Sequence, residues 1–311
     1  MSIVDESPGF LQVFSDGSVN RFSPGTIDAF CGSYTNGYKS KDVIIDPTKN
    51  LTGRIFIPDV KSESKFLPIV VYFHGGGFCI GSTTWLGYHF FLGDLSGISK
   101  SIVLSVDYRL APENKLPAAY DDCCSSLEWL CNNATLDPWL QRADLSRVFL
   151  SGDSAGGNIV HQVATRSVRQ KFNGLEIKGL IPIHPYFGSE KRTELELAPG
   201  SEGHVHSNDM FWRLSLPEGQ NRDYFGCNFE NTELSEEEWR EFCPAVLVFV
   251  AGLDFLKERG VMYADFLKKK GVKEVKLIEA EEESHVFNIF HPESDATRLL
   301  QKTMSDFIQD C

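Results

Sequence analysis

The chain has 311 residues, of which 42% are hydrophobic and 23% are charged, as is typical of a globular protein with a full apolar core. Lysine and arginine number 30 and aspartate and glutamate number 43, so the formal net charge is −13. A chain this acidic repels phosphate backbones and anionic lipid, which argues against a nucleic-acid partner and against a membrane partner.

The sequence contains no recognisable targeting or membrane segment. Its first ten residues, MSIVDESPGF, include two acids and no apolar run, so they predict neither a signal peptide nor a basic transit peptide. No stretch approaches the ~18 apolar residues of a membrane span. The eight cysteines form no CxxC pair and are expected to be reduced, mostly buried thiols. We therefore expect a cytoplasmic protein.

Short apolar runs separated by turn signals predict the strands. The first two, residues 11–14 and 19–22, flank an Asp-Gly turn and predict an antiparallel hairpin. Later strands are predicted at 52–57, 67–73, 101–106, 147–151, 179–184, 245–251 and 275–278. The run at 67–73, LPIVVYF, is apolar throughout, as expected of a strand buried on both faces.

Amphipathic stretches fill the gaps between strands and predict helices at 118–132, 157–169, 259–270 and 294–309. This alternation favours an α/β fold around a mostly parallel sheet. Residues 186–239 break the rhythm, being polar with aromatic islands. We interpret about 186–240, together with about 1–30, as a cap over the sheet, because neither part is apolar enough for its own core. Residues 1–311 would then form a single domain.

The most informative motif is Gly152-Asp-Ser-Ala-Gly-Gly157, which joins a predicted strand to a predicted helix. In this strand–turn–helix context, G-x-S-x-G is typical of a nucleophile turn that lifts a serine above the sheet. Both glycines are needed, because a Cβ at 152 or 156 would meet the crossing backbone. We predict Ser154 as the nucleophile.

A second motif, His74-Gly75-Gly76-Gly77, ends the buried run at 67–73. Three glycines after a buried strand leave amide N–H groups free to bind the oxyanion of an acyl-transfer intermediate. We assign this role to Gly76 and Gly77 together with Ala155, and Gly75 supplies loop flexibility or a further donor. A phosphate-binding glycine loop is the alternative, but no G-K-[ST] follows. We expect His74 to brace the loop and not to act as a base.

A serine nucleophile needs a base, and that base needs an orienting acid. His285 follows the last predicted strand and Asp254 follows the strand at 245–251, so both are expected at the carboxyl edge of the sheet. Asp254 could also be a helix N-cap. His161 is expected one helical turn below Ser154 and facing away from it.

Three charged or histidine-containing segments are assigned structural roles. His204-Val-His206 has the spacing of a metal-binding pair on a strand, but we interpret it as a solvated loop of the cap, and no metal is predicted. Arg109 and Glu113 are expected to form a network that braces the glycine loop. The acidic run 281–283 is expected to be a solvated face.

Six segments together resemble the plant carboxylesterases, which are part of the hormone-sensitive-lipase branch of the α/β-hydrolases. These are HGGG at 74–77, DYRLAPE at 107–113, LPAAYD at 116–121, GDSAGG at 152–157, HPYFG at 184–188 and FWRLSLP at 211–217. The resemblance extends over nearly the whole chain, from about Gly9. One difference is Glu258, where relatives often have aspartate.

The resemblance implies an α/β-hydrolase fold with an eight-stranded, mostly parallel sheet, flanking helices and a helical cap. It also implies a Ser154–His285–Asp254 triad, an oxyanion hole in the glycine loop, no cofactor, and hydrolysis of a small-molecule carboxylic ester through an acyl-enzyme. Similar proteins in plant specialised metabolism use the fold for methyl-ester cleavage with decarboxylation, for elimination or for cyclisation, for example on an alkaloid, and that alternative stays open. Hormone receptors of this type have lost the histidine, so the presence of His285 counts against a receptor. The sequence does not indicate the oligomeric state.

Overall fold

The computed structural model describes residues 2–61, 66–242 and 244–311. Within these ranges no helix is both long and apolar enough to cross a membrane. The seven cysteines in the described ranges are free thiols, and most are buried. The eighth, Cys243, lies outside the described residues.

Eleven strands are found among the described residues, and they form two sheets. Their bounds are β1 Ile3–Ser7, β2 Leu11–Phe14, β3 Val19–Arg21, β4 Tyr38–Asp46, β5 Leu51–Pro58, β6 Leu67–Phe73, β7 Ile102–Asp107, β8 Ala143–Asp153, β9 Ile177–Ile183, β10 Ala245–Ala251 and β11 Val275–Ala280. The helices are α1 Leu86–Ser99, α2 Ala118–Asn133, α3 Ala155–Arg169, α4 Glu194–Leu197, α5 Glu202–Ser215, α6 Glu236–Glu241, α7 Lys257–Lys269, α8 Phe287–Phe290 and α9 Asp295–Asp310.

The larger sheet has the order β11-β10-β9-β8-β6-β7-β5-β4 in the described chain. The strands from β11 to β7 pair in parallel, whereas β5 pairs antiparallel with both β7 and β4. The predicted α/β architecture with a mostly parallel, eight-stranded sheet is confirmed. Because parallel strands run the same way, their carboxyl ends, and the loops that follow, share one edge.

Alternate side chains of the central strands pack into the two layers of the core. On β6, Leu67, Ile69, Val71 and Phe73 face one cluster, which includes residues of α2, α3 and α7. Val70 and Tyr72 face the other cluster, which includes residues of α1 and α9. Burial on both faces explains why β6 and β10 are apolar runs without alternation.

The smaller sheet, β1-β2-β3, is antiparallel and contains the predicted hairpin. Phe10 attaches it to the main body, with its ring centroid 6.1 Å from that of Trp85 and 6.3 Å from that of Phe290. The other irregular segment holds α4, α5 and α6. Both α4 and α6 begin with a capping box, from Thr193 and Ser235 respectively.

One local prediction in this segment is wrong. His204-Val-His206 lies in the first turns of α5 and not in a loop, although both histidines are exposed as predicted. The aromatic residues Phe211 and Trp212, two turns further along, bury the helix against the main body, and that tertiary packing outweighs the polar composition of the helix.

Candidate active site

Ser154 lies in a strained turn between β8 and α3. Its backbone has φ 51° and ψ −116°, in a region that non-glycine residues rarely occupy. The turn is held by hydrogen bonds from the Ser154 amide to the Ile183 carbonyl (2.9 Å) and from the Tyr186 amide to the Ser154 carbonyl (2.9 Å). A Cβ added at Gly156 would lie 1.8 Å from the Phe73 carbonyl oxygen, and one at Gly152 would lie 2.5 Å from it. The neighbouring backbone therefore requires glycine at both positions.

The structure brings Ser154, His285 and Asp254 together from three separate loops. His285 Nε2 lies 2.9 Å from Ser154 Oγ, and His285 Nδ1 lies 2.6 Å from Asp254 Oδ2. Asp254 Oδ1 also accepts a hydrogen bond from the Leu256 amide at 2.9 Å, so the carboxylate caps its own turn as well. The N-cap of α7 is Leu256, so the N-cap interpretation of Asp254 is wrong; its carboxylate fixes the turn before the helix while it contacts His285 as predicted.

The acid–histidine pair carries opposite pKa shifts. Burial acts to raise the pKa of Asp254, but the charge and hydrogen bond of His285 outweigh it, and the pKa lies below its usual value. Burial acts to lower the pKa of His285, but the Asp254 carboxylate outweighs it, and the pKa lies above its usual value. The neighbouring ring of His184, which accepts a hydrogen bond from the Val286 amide at 3.0 Å, has its pKa lowered to about 3 by burial and then by His285.

Two of the three predicted glycine donors have free amides. Gly76 (φ 108°) and Gly77 (φ 56°) line the same cavity as Ser154. Their N–H groups, like that of Ala155, have no hydrogen-bond acceptor in the part of the chain that the structure describes. Positive φ turns the loop back, and the carbonyl of Gly76 accepts hydrogen bonds from the amides of Cys79 and Ile80, both at 3.0 Å.

The structure contradicts the assignment of Gly75 as a further donor. Its N–H is bonded to the Tyr88 hydroxyl (2.8 Å) and to Asp153 Oδ1 (3.0 Å), so it is not available to an oxyanion. A Cβ at this position would lie 2.3 Å from Asp153 Oδ2. Gly75 is therefore required for close packing of the loop against Asp153.

Asp153 is a site residue that sequence reasoning missed. Its buried carboxylate accepts hydrogen bonds from the Tyr72 hydroxyl (2.7 Å), the Tyr88 hydroxyl (3.0 Å) and the Gly75 amide. Burial raises the pKa of this carboxyl against the effect of the two tyrosines. Asp153 thereby joins the nucleophile turn to the glycine loop. Its place beside Ser154 in the motif is the signal that could have indicated this role.

His74 lies at the start of the glycine loop, where a bracing role was predicted. Its ring stacks on Tyr108 with 4.3 Å between centroids, and Nδ1 lies 2.8 Å from the Gly75 carbonyl oxygen. It does not line the cavity that contains Ser154.

The predicted network of Arg109 and Glu113 is found as two separate ion pairs, and only that of Glu113 reaches the loop after the glycines. Arg109 forms an ion pair with the fully buried Asp122 at 2.8 Å, and Glu113 pairs with Arg21 of β3. The Arg21 guanidinium also donates to the carbonyls of Cys79 (2.6 Å) and Ala111 (2.8 Å). The charge that supports the loop after the glycines therefore comes from the N-terminal sheet, which is remote in sequence.

A cavity of about 230 Å³ opens above Ser154. Its walls combine the glycine loop with residues of the N-terminal sheet, of α5, and of the loops around Asp254 and His285. Most of the lining is apolar or aromatic, and the polar lining residues outside the motifs include Ser7, His204, Ser207 and Asn208.

Neither His161 nor His204 forms a hydrogen bond with Ser154 Oγ in the described residues. His161 is buried below the turn, where its ring nitrogens meet Tyr263 (3.2 Å) and Thr232 (2.8 Å). His204 stacks on Phe255 with 5.5 Å between ring centroids.

Across the described ranges, no group of three or more His, Cys, Asp or Glu side chains is arranged to hold a metal ion.

Comparison with known proteins places this geometry in a family. Residues 70–289 match a family model described as an alpha/beta hydrolase fold. The solved structure of a hyperthermophilic esterase from the archaeon Pyrobaculum calidifontis superposes with a TM-score of 0.71, at 27% identity, over 88% of this chain and 83% of that one.

Two curated plant proteins match much of the chain. Probable carboxylesterase 6 of Arabidopsis thaliana is 39% identical over 85% of this chain and 79% of its own length. Tuliposide A-converting enzyme 1, chloroplastic, of Tulipa gesneriana is 35% identical over 99% of this chain and 78% of its own length. The fold, the family model and these relatives agree, and the chain belongs to the α/β-hydrolase family, within its hormone-sensitive-lipase-like branch of plant carboxylesterases.

Proposed function

We propose that this protein is a serine carboxylesterase that hydrolyses a small-molecule carboxylic ester. The observation that carries the proposal is the hydrogen-bonded chain from Ser154 through His285 to Asp254, which lies beside three amides that have no acceptor in the described residues. The esterase and carboxylesterase relatives support the same reaction class.

In the first half-reaction, Ser154 Oγ attacks the ester carbonyl carbon while His285 Nε2 takes the hydroxyl proton. The carbonyl oxygen becomes an oxyanion, for which the amides of Gly76, Gly77 and Ala155 are the proposed donors. The C–O bond to the alcohol then breaks, and His285 returns the proton to the leaving oxygen. Asp254 holds His285 in the tautomer with the proton on Nδ1 and stabilises the imidazolium form.

In the second half-reaction, water attacks the acyl-enzyme and gives its proton to His285. Collapse of the new tetrahedral intermediate releases the carboxylic acid and restores the Ser154 hydroxyl. The two half-reactions consume one ester and one water and release one alcohol and one carboxylic acid, so no further reactant is needed. We therefore propose no cofactor and no metal. We also propose that the chain is one domain, in which the β1-β2-β3 sheet and the segment from α4 to α6 act as a cap over the cavity.

The decisive experiment combines turnover with covalent labelling. The protein should hydrolyse p-nitrophenyl acetate, and a fluorophosphonate probe should label one peptide, which mapping locates at Ser154. Ser154→Ala should abolish the labelling and lower kcat by about 10⁴-fold or more. Hydrolysis at an equal rate by Ser154→Ala, or labelling elsewhere, would contradict the proposal.

A repurposed reaction of plant specialised metabolism is the second candidate, because one relative is named for the conversion of tuliposide A. Product analysis distinguishes the two. Simple hydrolysis yields acid and alcohol in equal amounts, whereas decarboxylation, elimination or cyclisation leaves one of these products missing.

We propose the cytoplasm as the compartment, because the cysteines of the described residues are free thiols, as is usual in a reducing compartment. The tulip relative is named as chloroplastic, so the alternative location is the plastid. Imaging a fluorescent fusion of the whole gene product in leaf cells, against a plastid marker, tests this directly.

A further inference from the structure

Helix α5 presents one row of side chains to the cavity above Ser154. His204, Ser207, Asn208 and Phe211 all line the cavity. Their spacing of i, i+3, i+4 and i+7 is that of a single helix face. With a rise of 1.5 Å per residue, the row extends about 10 Å along the helix. Phe211 forms the end nearest the glycine loop, since a Cβ on Gly77 would lie 2.7 Å from its ring.

Asn208 is the buried polar group of this row. Only 4% of the residue is exposed, and its Oδ1 has no hydrogen-bond partner in the described parts of the chain. A buried side-chain amide normally has its hydrogen bonds satisfied, so an unpartnered one that lines a cavity indicates a ligand group. Ser207 adds a hydroxyl beside it. His204 stacks its ring face on Phe255, which leaves the ring nitrogens at the edge.

Contacts on both sides of the row anchor the helix that carries it. The Tyr186 hydroxyl donates to the main-chain carbonyl of Asn208 at 3.0 Å, and the Tyr186 ring stacks on Trp212 with 4.4 Å between centroids. On the outer side of the helix, Asp209 forms ion pairs with Arg192 and Arg222. Polar groups fixed in this way bind a matching partner without paying for their own ordering.

The other end of the cavity is mainly aromatic; it is formed by Phe10, Trp85 and Phe290, and Ser7, whose carbonyl accepts from the Phe10 amide at 3.0 Å, is its polar lining residue. The glycine loop touches both ends. Gly75 is bonded to Tyr88, whose ring lies 6.2 Å from that of Trp85, and Gly77 packs against Phe211 at the start of the polar row. An ester bound at this loop would therefore extend one arm toward each end.

We infer that the substrate is a hydroxylated ester. One arm carries hydroxyl groups that bind Asn208, with Ser207 and His204, and the other is an apolar group that packs among Phe10, Trp85 and Phe290. This inference rests on the proposed ester hydrolysis at Ser154 and narrows its substrate class.

The test compares two pairs of esters that differ in hydroxyl content. Glyceryl monobutyrate against propyl butyrate varies the alcohol arm, and methyl 3-hydroxybutanoate against methyl butanoate varies the acyl arm. For each pair the readout is the ratio of kcat/KM, hydroxylated over plain, in the wild type, Asn208→Leu, Ser207→Ala and the control His206→Ala. His206 is exposed on the same helix and does not line the cavity.

The wild type should favour the hydroxylated member of at least one pair, and Asn208→Leu should lower that ratio about 3- to 10-fold, the value of one neutral hydrogen bond. Ser207→Ala should lower this ratio as well, and this variant alone tests the inference if Asn208→Leu does not fold. His206→Ala should keep the wild-type ratio. If folded Asn208→Leu and Ser207→Ala both keep the wild-type ratio of kcat/KM in both ester pairs, the inference is overturned, while the proposed ester hydrolysis is unaffected. A wild type that hydrolyses neither these esters nor p-nitrophenyl acetate would overturn both.

Discussion

At the scale of single residues, Asp254 does two things at once. One oxygen accepts from the Leu256 amide and fixes the turn, while the other accepts from His285. The carboxylate is therefore oriented by the turn, and it also raises the pKa of the His285 imidazole, which we propose as the base. A base must be unprotonated, so activity should fall as the pH drops through the pKa of His285, at a midpoint above the usual value for histidine.

Asp254→Asn tests this coupling. The negative charge of Asp254 raises the pKa of His285, so its loss should lower that pKa. The acidic limb of the pH profile of kcat/KM should then move to lower pH. The plateau should also fall about 10³- to 10⁴-fold, because an amide donor opposite Nδ1 favours the wrong tautomer. A pH–rate profile measures both effects. Glu282→Gln, which removes an exposed charge from the same loop, should leave the midpoint in place, and an unmoved midpoint in Asp254→Asn would contradict the assigned role.

Most residues of the candidate site were predictable from sequence, because each belongs to or follows a short motif whose residue types are required by the local backbone geometry. Gly76, Gly152 and Gly156 are required by backbone atoms that lie 1.8–2.5 Å from where a Cβ would be, whereas Gly75 and Gly77 are required by the side chains of Asp153 and Phe211. Asn208 and Arg21 were not predictable, since each acts through contacts made across the fold and belongs to no motif. Gly75 was assigned by its place in a run of glycines, whereas Tyr88 and Asp153 occupy its amide.

At the scale of elements, the strands with buried apolar runs were predicted to within a few residues, and the missed elements share a physical reason. Helix α1 has apolar residues on most sides, so it lacks the one-sided pattern that marks a surface helix. Strand β4 is an edge strand that alternates buried and exposed residues, and β1 is largely exposed. Their pairing is decided by neighbours that are distant in sequence.

Arg21 offers a prediction about how the elements cooperate. It connects β3 to the Cys79 carbonyl in the loop that continues from the glycines, so Arg21→Ala should loosen that loop. We expect kcat for p-nitrophenyl acetate to fall about 3- to 30-fold with a smaller change in KM, because displaced loop amides would stabilise the transition state less, by about 0.7–2 kcal/mol.

Arg213→Ala is the matched control, because Arg213 also connects the N-terminal sheet to the main body, through an exposed ion pair with Asp5. Exposed pairs contribute little, so this variant should keep wild-type kinetics. Equal losses in both variants would show that the sheet acts as a whole and that Arg21 has no particular role in placing the loop.

At the scale of the whole molecule, the Arg259–Glu196 pair joins helix α7 of the main body to α4. The two side chains are 4% and 1% exposed and meet through two hydrogen bonds, at 2.8 and 2.9 Å. Arg259→Met would remove both hydrogen bonds and leave the buried Glu196 carboxylate only a longer ion pair with Arg192 (3.8 Å) and the Thr193 amide (3.3 Å). The free energy of unfolding should therefore fall by about 3 kcal/mol, the lower end of the range for breaking a buried pair.

Urea unfolding followed by tryptophan fluorescence measures the loss. The double variant Glu196→Leu/Arg259→Met should recover much of it, since no unpaired charge remains. Lys268→Met, which breaks an exposed pair with Asp265, should cost less than about 1 kcal/mol. A single variant as stable as the wild type would show that the pair does not join the two parts.

The left-handed backbone at Ser154 has a practical consequence for handling the protein. The close packing of Gly152 and Gly156 against the Phe73 carbonyl and the contact between Ser154 and His285 exist only in the folded chain, so a denatured chain has an ordinary, unreactive serine at this position. Stoichiometric titration with a fluorophosphonate would therefore count native molecules in a preparation, and its loss during storage or heating would report denaturation without any knowledge of the natural substrate.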